Sequence, residues 1–153
     1  MKRLAQFVIL LLSASNMEAQ IAKQAFFGSG LSVAWSNGAK TSTSTVGFAL
    51  VMPVSKKIFL RPVVSGGEVV PLNSAQAFPM IQGGCLFGYR ATQRFSVLSG
   101  FAETVQFPKA GEVYLPTALI STAIRVRGHW GIFAPITVTA RGYSISLQTG
   151  YTW

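Results

Sequence analysis

The side chains that most often carry out chemistry are scarce in this sequence. His129 is the only histidine, Cys85 is the only cysteine, and aspartate is absent. A Ser-His-Asp triad or a metal site with several histidine ligands therefore cannot be built within one chain. A single cysteine also excludes an intrachain disulfide, and we expect Cys85 to act as a small apolar side chain.

Paired carboxylates are the remaining arrangement that would support acid–base chemistry. Such mechanisms place two carboxyl groups about 5–9.5 Å apart. Glu68 and Glu112 fall in separate predicted loops, where solvated charges are the simpler interpretation. His129 falls in a predicted turn, where a solvated histidine is much commoner than a catalytic one. We therefore predict a protein that is not an enzyme and that has no cofactor and no metal site.

The start of the chain has the pattern of an export signal. Two basic residues are followed by a short apolar stretch at 4–12 and by a polar stretch that leads to Ala19. The apolar stretch is shorter than the roughly 20 residues that a spanning helix needs. The sequence therefore predicts a signal peptide at 1–19 and one domain at 20–153, with an earlier cut after Ser15 or an uncleaved membrane anchor as the alternatives.

The rest of the chain alternates with the two-residue period of β-strands. Turn signals such as Asn37-Gly38 divide it into eight runs. The runs are 25–35, 43–54, 58–64, 77–90, 95–107, 113–127, 131–139 and 143–153. An even number of strands returns both ends of a closed barrel to one side. The fold class predicted is all-β, an antiparallel up-and-down barrel of eight strands.

The composition of the two strand faces indicates which one meets lipid. In the last run the large residues share one phase, and the other phase holds Ser144, Ser146, Gln148 and Thr152, which are polar but uncharged. Only 11% of all residues are charged, against roughly 25% in soluble domains. This pattern favours a transmembrane barrel with small residues in the lumen over a secreted soluble barrel.

Prolines conflict with this interpretation. Pro62, Pro116 and Pro135 fall inside predicted strands. Proline has no N–H to donate and is normally found at sheet edges or bulges, whereas a closed barrel has no edge. We expect bulges or rims at these positions, or strand bounds that differ from those predicted.

The signal peptide, the eight amphipathic runs and a last strand that ends in an aromatic resemble the small eight-stranded outer-membrane barrels of Gram-negative bacteria. These are the OmpA-like and OmpX-like proteins. The resemblance covers the whole mature chain as a pattern, without a subfamily motif. It implies an outer-membrane location, and it implies that Tyr151 and Trp153 form the signal read by the outer-membrane assembly machinery, although Thr149 departs from that pattern.

The even strand count also gives an orientation. Trp153 and the turns 55–57, 91–94 and 128–130 are predicted to lie in the periplasm. The connections predicted outside are Asn37-Gly38, 65–75, 108–112 and Arg141-Gly142. Three basic residues in or near them would pair with lipopolysaccharide phosphates: Lys40, Lys109 and Arg141. The net charge of +9 is spread over many predicted turns, and we expect no nucleic-acid partner.

Three arginines fall inside predicted strands, namely Arg61, Arg90 and Arg125. A charge that faces lipid costs about 2–4 kcal/mol at the membrane midplane, so each should point inward or lie at an interface. Glu103 is the only carboxylate within a predicted strand, but it shares its phase with Phe101. Our hypothesis is a lumen cluster of the three arginines with Glu103 as partial counter-charge. A bulge near residue 103, or a position of Glu103 in the outer interface, would resolve the conflict with its phase. Interfacial arginines are the alternative.

These observations predict a monomeric, non-enzymatic barrel of the outer membrane with a structural or surface-interaction role. Eight strands enclose a lumen only just wide enough for side chains, so a general pore is not expected. The alternative function is a secreted soluble barrel that binds a small apolar ligand.

Overall fold

A computed structural model describes residues 21–35, 38–73 and 76–153 of the chain. They form eight strands: β1 (Ala22–Ala34), β2 (Lys40–Pro53), β3 (Ile58–Pro71), β4 (Phe78–Arg90), β5 (Phe95–Gln106), β6 (Val113–Arg127), β7 (Trp130–Thr139) and β8 (Gly142–Thr152). In this part of the chain no helix is long and apolar enough to cross a membrane. The predicted signal peptide and Asn37 lie outside the described residues.

The eight strands form a closed antiparallel barrel in chain order. Closure is made by β8, which pairs with β1 from Gln24↔Thr152 to Ala34↔Gly142. Closure leaves no strand with an unpaired edge. The predicted all-β, eight-stranded barrel is confirmed.

The two ends of the barrel differ in what they carry. One end, called here the terminal end, holds Ile21 and Trp153 together with the connections 54–57, 91–94 and 128–129. The other end, called the loop end, holds the connections 107–112 and 140–141 and the described parts of two further connections, residues 35 and 38–39 and residues 72–73 and 76–77. Both chain ends therefore lie on one side, as the even strand count predicts.

Strand β3 is longer than predicted, and the predicted loop at 65–75 is wrong for most of its length. Residues 65–71 continue the strand and pair with β2 up to Thr41↔Pro71. The glycines and the proline of this segment suggest a loop in isolation, but tertiary pairing overrides such local preferences. Glu68 consequently lies on the exterior of a strand rather than in a loop.

The strand prolines are accommodated by interruptions of the ladder on one side only. Pro62 pairs with β4, but the β2–β3 ladder is interrupted beside it and then resumes in the same register. Pro135 pairs with β6 while the β7–β8 ladder is interrupted in the same way. Pro116 pairs with β5 and lies beyond the first pair of the β6–β7 ladder. A missing N–H thus costs pairing on one flank, and the bulges expected at these prolines are absent from the described ladders.

The exterior of the barrel is apolar. Phe101 is 78% exposed there, and Phe48, Phe87 and Leu147 on other strands are also largely exposed. Aromatic side chains gather at both ends: Trp35 packs on Tyr143 at the loop end, and Trp130, Tyr151 and Trp153 pack together at the terminal end. Such bands are typical of membrane interfaces.

A hydrophobic cluster fills the middle of the lumen. It consists of Phe59, Leu86, Leu98 and Leu119, all buried. Gly88 lies against the ring of Phe59, where a Cβ atom would overlap the ring carbons. Leu119 borders a cavity towards the loop end, and Phe59 and Leu98 border a second cavity towards the terminal end. The cluster therefore separates the two cavities.

Candidate functional site

Arg61 is the most deeply buried charged side chain among the described residues. It points inward from β3 and is 4% exposed. Its Nε donates a hydrogen bond of 2.9 Å to Oε1 of Gln24, and Gln24 Nε2 donates one of 3.0 Å to Oγ1 of Thr152. These two bonds connect β3, β1 and β8 across the interior of the barrel.

Two aromatic rings flank the guanidinium of Arg61. Its central carbon lies 5.2 Å from the ring centre of Phe26 and 4.9 Å from that of Phe133. A cation over an aromatic face is attracted by the ring quadrupole, which offsets part of the loss of water. Nη2 of Arg61 is nevertheless buried without a hydrogen-bond partner. A buried donor left unpaired costs about 1–3 kcal/mol, and more when it carries charge.

Arg90 and Arg125 lie around the same space. Arg90 ends β4 and places its guanidinium 5.4 Å from the ring centre of Phe59. Arg125 lies on the inward phase of β6, beside a register shift between Arg125 and Arg127. Arg61, Arg90 and Arg125 all line the cavity at the terminal end, which has a volume of about 130 Å³. The structure thus brings the three predicted arginines together.

The same cavity has further polar lining. Arg94, Gln93, Ser96 and His129 contribute to its wall. No Asp or Glu lines it within the described ranges 21–35, 38–73 and 76–153. We name this space, with Arg61, Arg90, Arg94 and Arg125, the arginine cavity.

Glu103 does not belong to the arginine cavity. It pairs with Gly83 on one side and Pro116 on the other without a register shift, so no bulge turns it inward. Its side chain shares the exterior face with Phe101, as the strand phase alone indicates. The part of the hypothesis that made Glu103 the counter-charge is therefore wrong, because the regular two-residue period continues through this position.

The second cavity, at the loop end, has a different character. It has a volume of about 220 Å³, and hydroxyl and amide groups dominate its polar lining. Gln82 Nε2 donates to Thr104 Oγ1 over 2.9 Å, and the hydroxyls of Thr104 and Thr117 are 3.2 Å apart. Arg141 is the only charged side chain among the described residues that line it.

The remaining predicted site residues are distributed as follows. Tyr151 lies on the exterior of β8 and pairs with Ala25 and Trp130. Trp153 exchanges two backbone hydrogen bonds of 2.9 Å with Lys23. His129 lies in the β6–β7 turn, with its ring 5.6 Å from that of Tyr151. Nowhere in the described ranges do three or more His, Cys, Asp or Glu side chains form a group that could hold a metal ion.

Charge is distributed unevenly between the two ends of the barrel, which the order of charges along the chain does not reveal by itself. At the terminal end the described basic residues are Lys23, Lys56, Lys57, Arg90, Arg94, Arg125 and Arg127. At or near the loop end lie Lys40, Lys109 and Arg141 together with Glu68, Glu103 and Glu112. Charges that look dispersed in sequence are brought together by the alternating direction of the strands. The strand directions alone are a signal that would have revealed this grouping.

The inward-facing partners of Arg61 were also missed. The strand phase places Phe26 inward with Gln24, since both alternate with the exterior Phe27. Phe133 follows the same rule on β7. What the period does not give is which inward residues meet across the lumen, because this depends on the stagger between strands.

Comparison with known proteins identifies the fold. No model of a known protein family matches the sequence, and no curated protein matches it. Among solved structures, the chain is similar to Ail, the attachment invasion locus protein of Yersinia pestis, with 9% identity, a TM-score of 0.56, and coverage of 90% of this chain and 100% of that one.

Two further solved structures show the same likeness. Neisserial surface protein A (NspA) has 9% identity and a TM-score of 0.51 over 87% of this chain and 97% of that one. A de novo designed transmembrane β-barrel has 13% identity and a TM-score of 0.55 over 90% and 98%. The chain therefore has the fold of a small eight-stranded outer-membrane β-barrel, in agreement with the predicted outer-membrane location.

Proposed function

We propose that this chain is a non-enzymatic, monomeric protein of the outer membrane with a structural or surface-interaction role. Its lumen is filled by its own side chains and does not form a general pore. The fold of an outer-membrane barrel supports the location, and the packing of the interior supports the closed lumen. The two lines of support are independent.

The exterior face supports a barrel inserted in a bilayer over a water-soluble barrel. The most exposed large side chains in the described ranges include Phe101, Phe87 and Leu147, from three different strands. A soluble barrel would bury such residues in its interior and cover its exterior with charge. The alternative, a secreted soluble barrel that binds a small apolar ligand, is therefore disfavoured.

The single observation that carries the closed-lumen proposal is the cluster of Phe59, Leu86, Leu98 and Leu119. Leu86 and Leu98 are 1% exposed, so water does not reach them. A barrel of eight strands leaves room for side chains and not for a wide aqueous channel. An ion that crossed this layer would lose its hydration without gaining polar partners.

The orientation and the partners follow from the same proposal. The terminal end faces the periplasm, and the loop end faces outward. Lys40, Lys109 and Arg141 then lie where they would pair with phosphates of lipopolysaccharide. Tyr151 and Trp153 act in biogenesis, when the outer-membrane assembly machinery reads the last strand.

Cell fractionation and conductance test this proposal together. The full-length protein, expressed in a Gram-negative host, is expected in the outer-membrane fraction and should migrate differently on gels before and after heating. The purified barrel in planar bilayers is expected to show no steady conductance, with a large porin as the positive control. Recovery in a soluble fraction without detergent would overturn the membrane proposal. Steady open-channel currents would overturn the closed lumen.

A further inference from the structure

We propose that the arginine cavity is a binding site for a small oxyanion of the phosphate class. This inference concerns the interior of the barrel at the terminal end. It is separate from the outward-facing surface discussed above, and it stands on the burial, the unmet hydrogen bonding and the charge of this cavity.

The unmet hydrogen-bond donor is the first observation. Nη2 of Arg61 is buried without a partner, although the rest of the guanidinium is held by Gln24 and by the rings of Phe26 and Phe133. Arg61 also lines the arginine cavity. The residue that carries the unpaired donor therefore forms part of the cavity wall, and the two rings and the Gln24 side chain limit where its guanidinium can move. A guanidinium pairs best with planar or tetrahedral oxyanions, through charge-assisted hydrogen bonds.

The second observation is charge of one sign. Arg61, Arg90, Arg94 and Arg125 line a single cavity of about 130 Å³, and no Asp or Glu of the described ranges lines it. Four like charges around one space repel one another, with solvent screening the exposed Arg90, Arg94 and Arg125 but not the buried Arg61, and together they make the local potential positive. An anion in the cavity relieves the repulsion. A cation or a neutral molecule does not.

The third observation is size and access. The cavity volume of about 130 Å³ is well above the roughly 10–15 Å³ that one water needs, so the cavity has room for several water-sized groups. This suits a phosphate or sulfate group. Ser96 and Gln93 in the wall add neutral hydrogen-bonding groups. The hydrophobic cluster closes the inner side, so the anion enters from the terminal end.

Two kinds of molecule supply an oxyanion of this class. One is free phosphate or a small phosphorylated solute, and the other is the phosphate of an anionic phospholipid headgroup at the rim of the barrel. The periplasmic origin of either one rests on the orientation given under the proposed function. Binding itself does not depend on that orientation.

The test is a titration of the purified mature barrel with inorganic phosphate in uncharged detergent. Binding is followed by NMR through the Nε–H signals of the arginines, at constant ionic strength. The expected result is a saturable shift of the Arg61 signal. Arg90→Gln and Arg125→Gln are each expected to weaken the apparent affinity at least tenfold. These two side chains are exposed, so the variants should fold even if substitution of Arg61 prevents folding.

The matched control is Lys56→Gln, which removes one positive charge at the same end of the barrel but lies outside the cavity. Its affinity for phosphate should equal that of the wild type. Absence of a saturable shift would overturn the site, and so would equal weakening in Lys56→Gln, because this would show only general attraction to the basic end.

A second experiment distinguishes a free solute from a lipid headgroup as the occupant. The same titration in nanodiscs of phosphatidylcholine is compared with one in nanodiscs that contain phosphatidylglycerol. Competition by phosphatidylglycerol supports a lipid headgroup as the occupant, and an unchanged affinity supports a free solute. Binding in detergent by a protein that fails to reach the outer membrane would contradict the proposed function and leave the oxyanion site intact.

Discussion

Arg61 and Gln24 are joined by a 2.9 Å hydrogen bond although their strands are not neighbours. Arg61 is on β3, Gln24 is on β1, and β2 lies between them in the sheet. The bond therefore spans the inner face of β2, and it fixes the direction of a buried charge that has no carboxylate beside it among the described residues. The stability of the barrel should depend on both partners together.

A double-mutant cycle tests this dependence. Gln24→Leu leaves the Arg61 Nε donor without its acceptor and is expected to lower the free energy of unfolding by about 1–3 kcal/mol. In an Arg61→Met background the same change should cost less than half as much, because the charge is gone. Urea titration of the barrel in lipid vesicles measures both values. Gln82→Leu, whose bond to Thr104 lies in the other cavity, should be additive with Arg61→Met.

Glycine is required at position 88 because of the ring of Phe59. Gly88→Ala is expected to destabilise the barrel by about 1–3 kcal/mol, since the added methyl group overlaps the ring. Gly83→Ala on the same strand is the control, because no atom lies within 4 Å of the Cβ position there. Its stability should be unchanged or slightly higher. Equal losses in the two variants would show that backbone flexibility of β4, and not the ring, sets the requirement.

The exterior can be probed with a charge at different depths. Phe101→Arg, near the middle of β5, is expected to cost about 2–4 kcal/mol in lipid vesicles. Tyr114→Arg, near the loop end, should cost about 0–1 kcal/mol. A soluble barrel would tolerate both changes equally, and this outcome in unfolding titrations would contradict the membrane assignment.

Because Glu103 lies on the exterior, its substitution is expected to affect stability in the opposite direction from the loss of a lumen ion pair. Glu103→Gln removes a carboxylate from the lipid-facing side and should leave the melting temperature unchanged or raise it. Loss of a counter-charge would instead lower it, because buried arginines would be left unpaired. Glu68→Gln, on the exterior of β3, is the reference. A clear loss of stability in Glu103→Gln alone would mean that Glu103 reaches a partner after all.

The proposed surface contact with lipopolysaccharide should depend on the charges of the loop end. Replacement of Lys40, Lys109 and Arg141 by glutamine is expected to weaken binding about tenfold, since exposed ion pairs contribute about 0.2–1 kcal/mol each. Replacement of Lys23, Lys56 and Lys57 removes equal charge from the terminal end and should have little effect. Binding is measured by calorimetry at two salt concentrations. Equal weakening by both triple variants would contradict a specific outer contact.

Strand identity could be predicted well from the sequence, because alternation is a local property. The predicted run 113–127 coincides with β6, and the predicted 95–107 differs from β5 by one residue at its end. The loop predicted at 65–75 was wrong because glycine and proline signal a turn only where no neighbouring strand supplies a ladder. Here β2 and β4 both pair with that segment.

The candidate site could be predicted only in part. Inward placement of Arg90 and Arg125 follows from strand phase. The association of Arg61 with Gln24, Phe26 and Phe133 does not, because it depends on how far each strand is staggered against the next. For Glu103 the local pattern was right and the hypothesis was wrong. The two-residue period places Glu103 on the exterior, but the hypothesis moved it into the lumen because the arginines needed a counter-charge.

The pairing of β1 with β8 has a consequence for how the barrel is made. Gln24 and Thr152, which are bonded at this seam, are 128 residues apart. Contacts of such sequence separation form late, and until they form the growing sheet has two open edges that can pair with other chains. A chain that lacks β8 therefore cannot close the barrel. Chaperones must therefore protect the chain from aggregation until β8 has paired with β1.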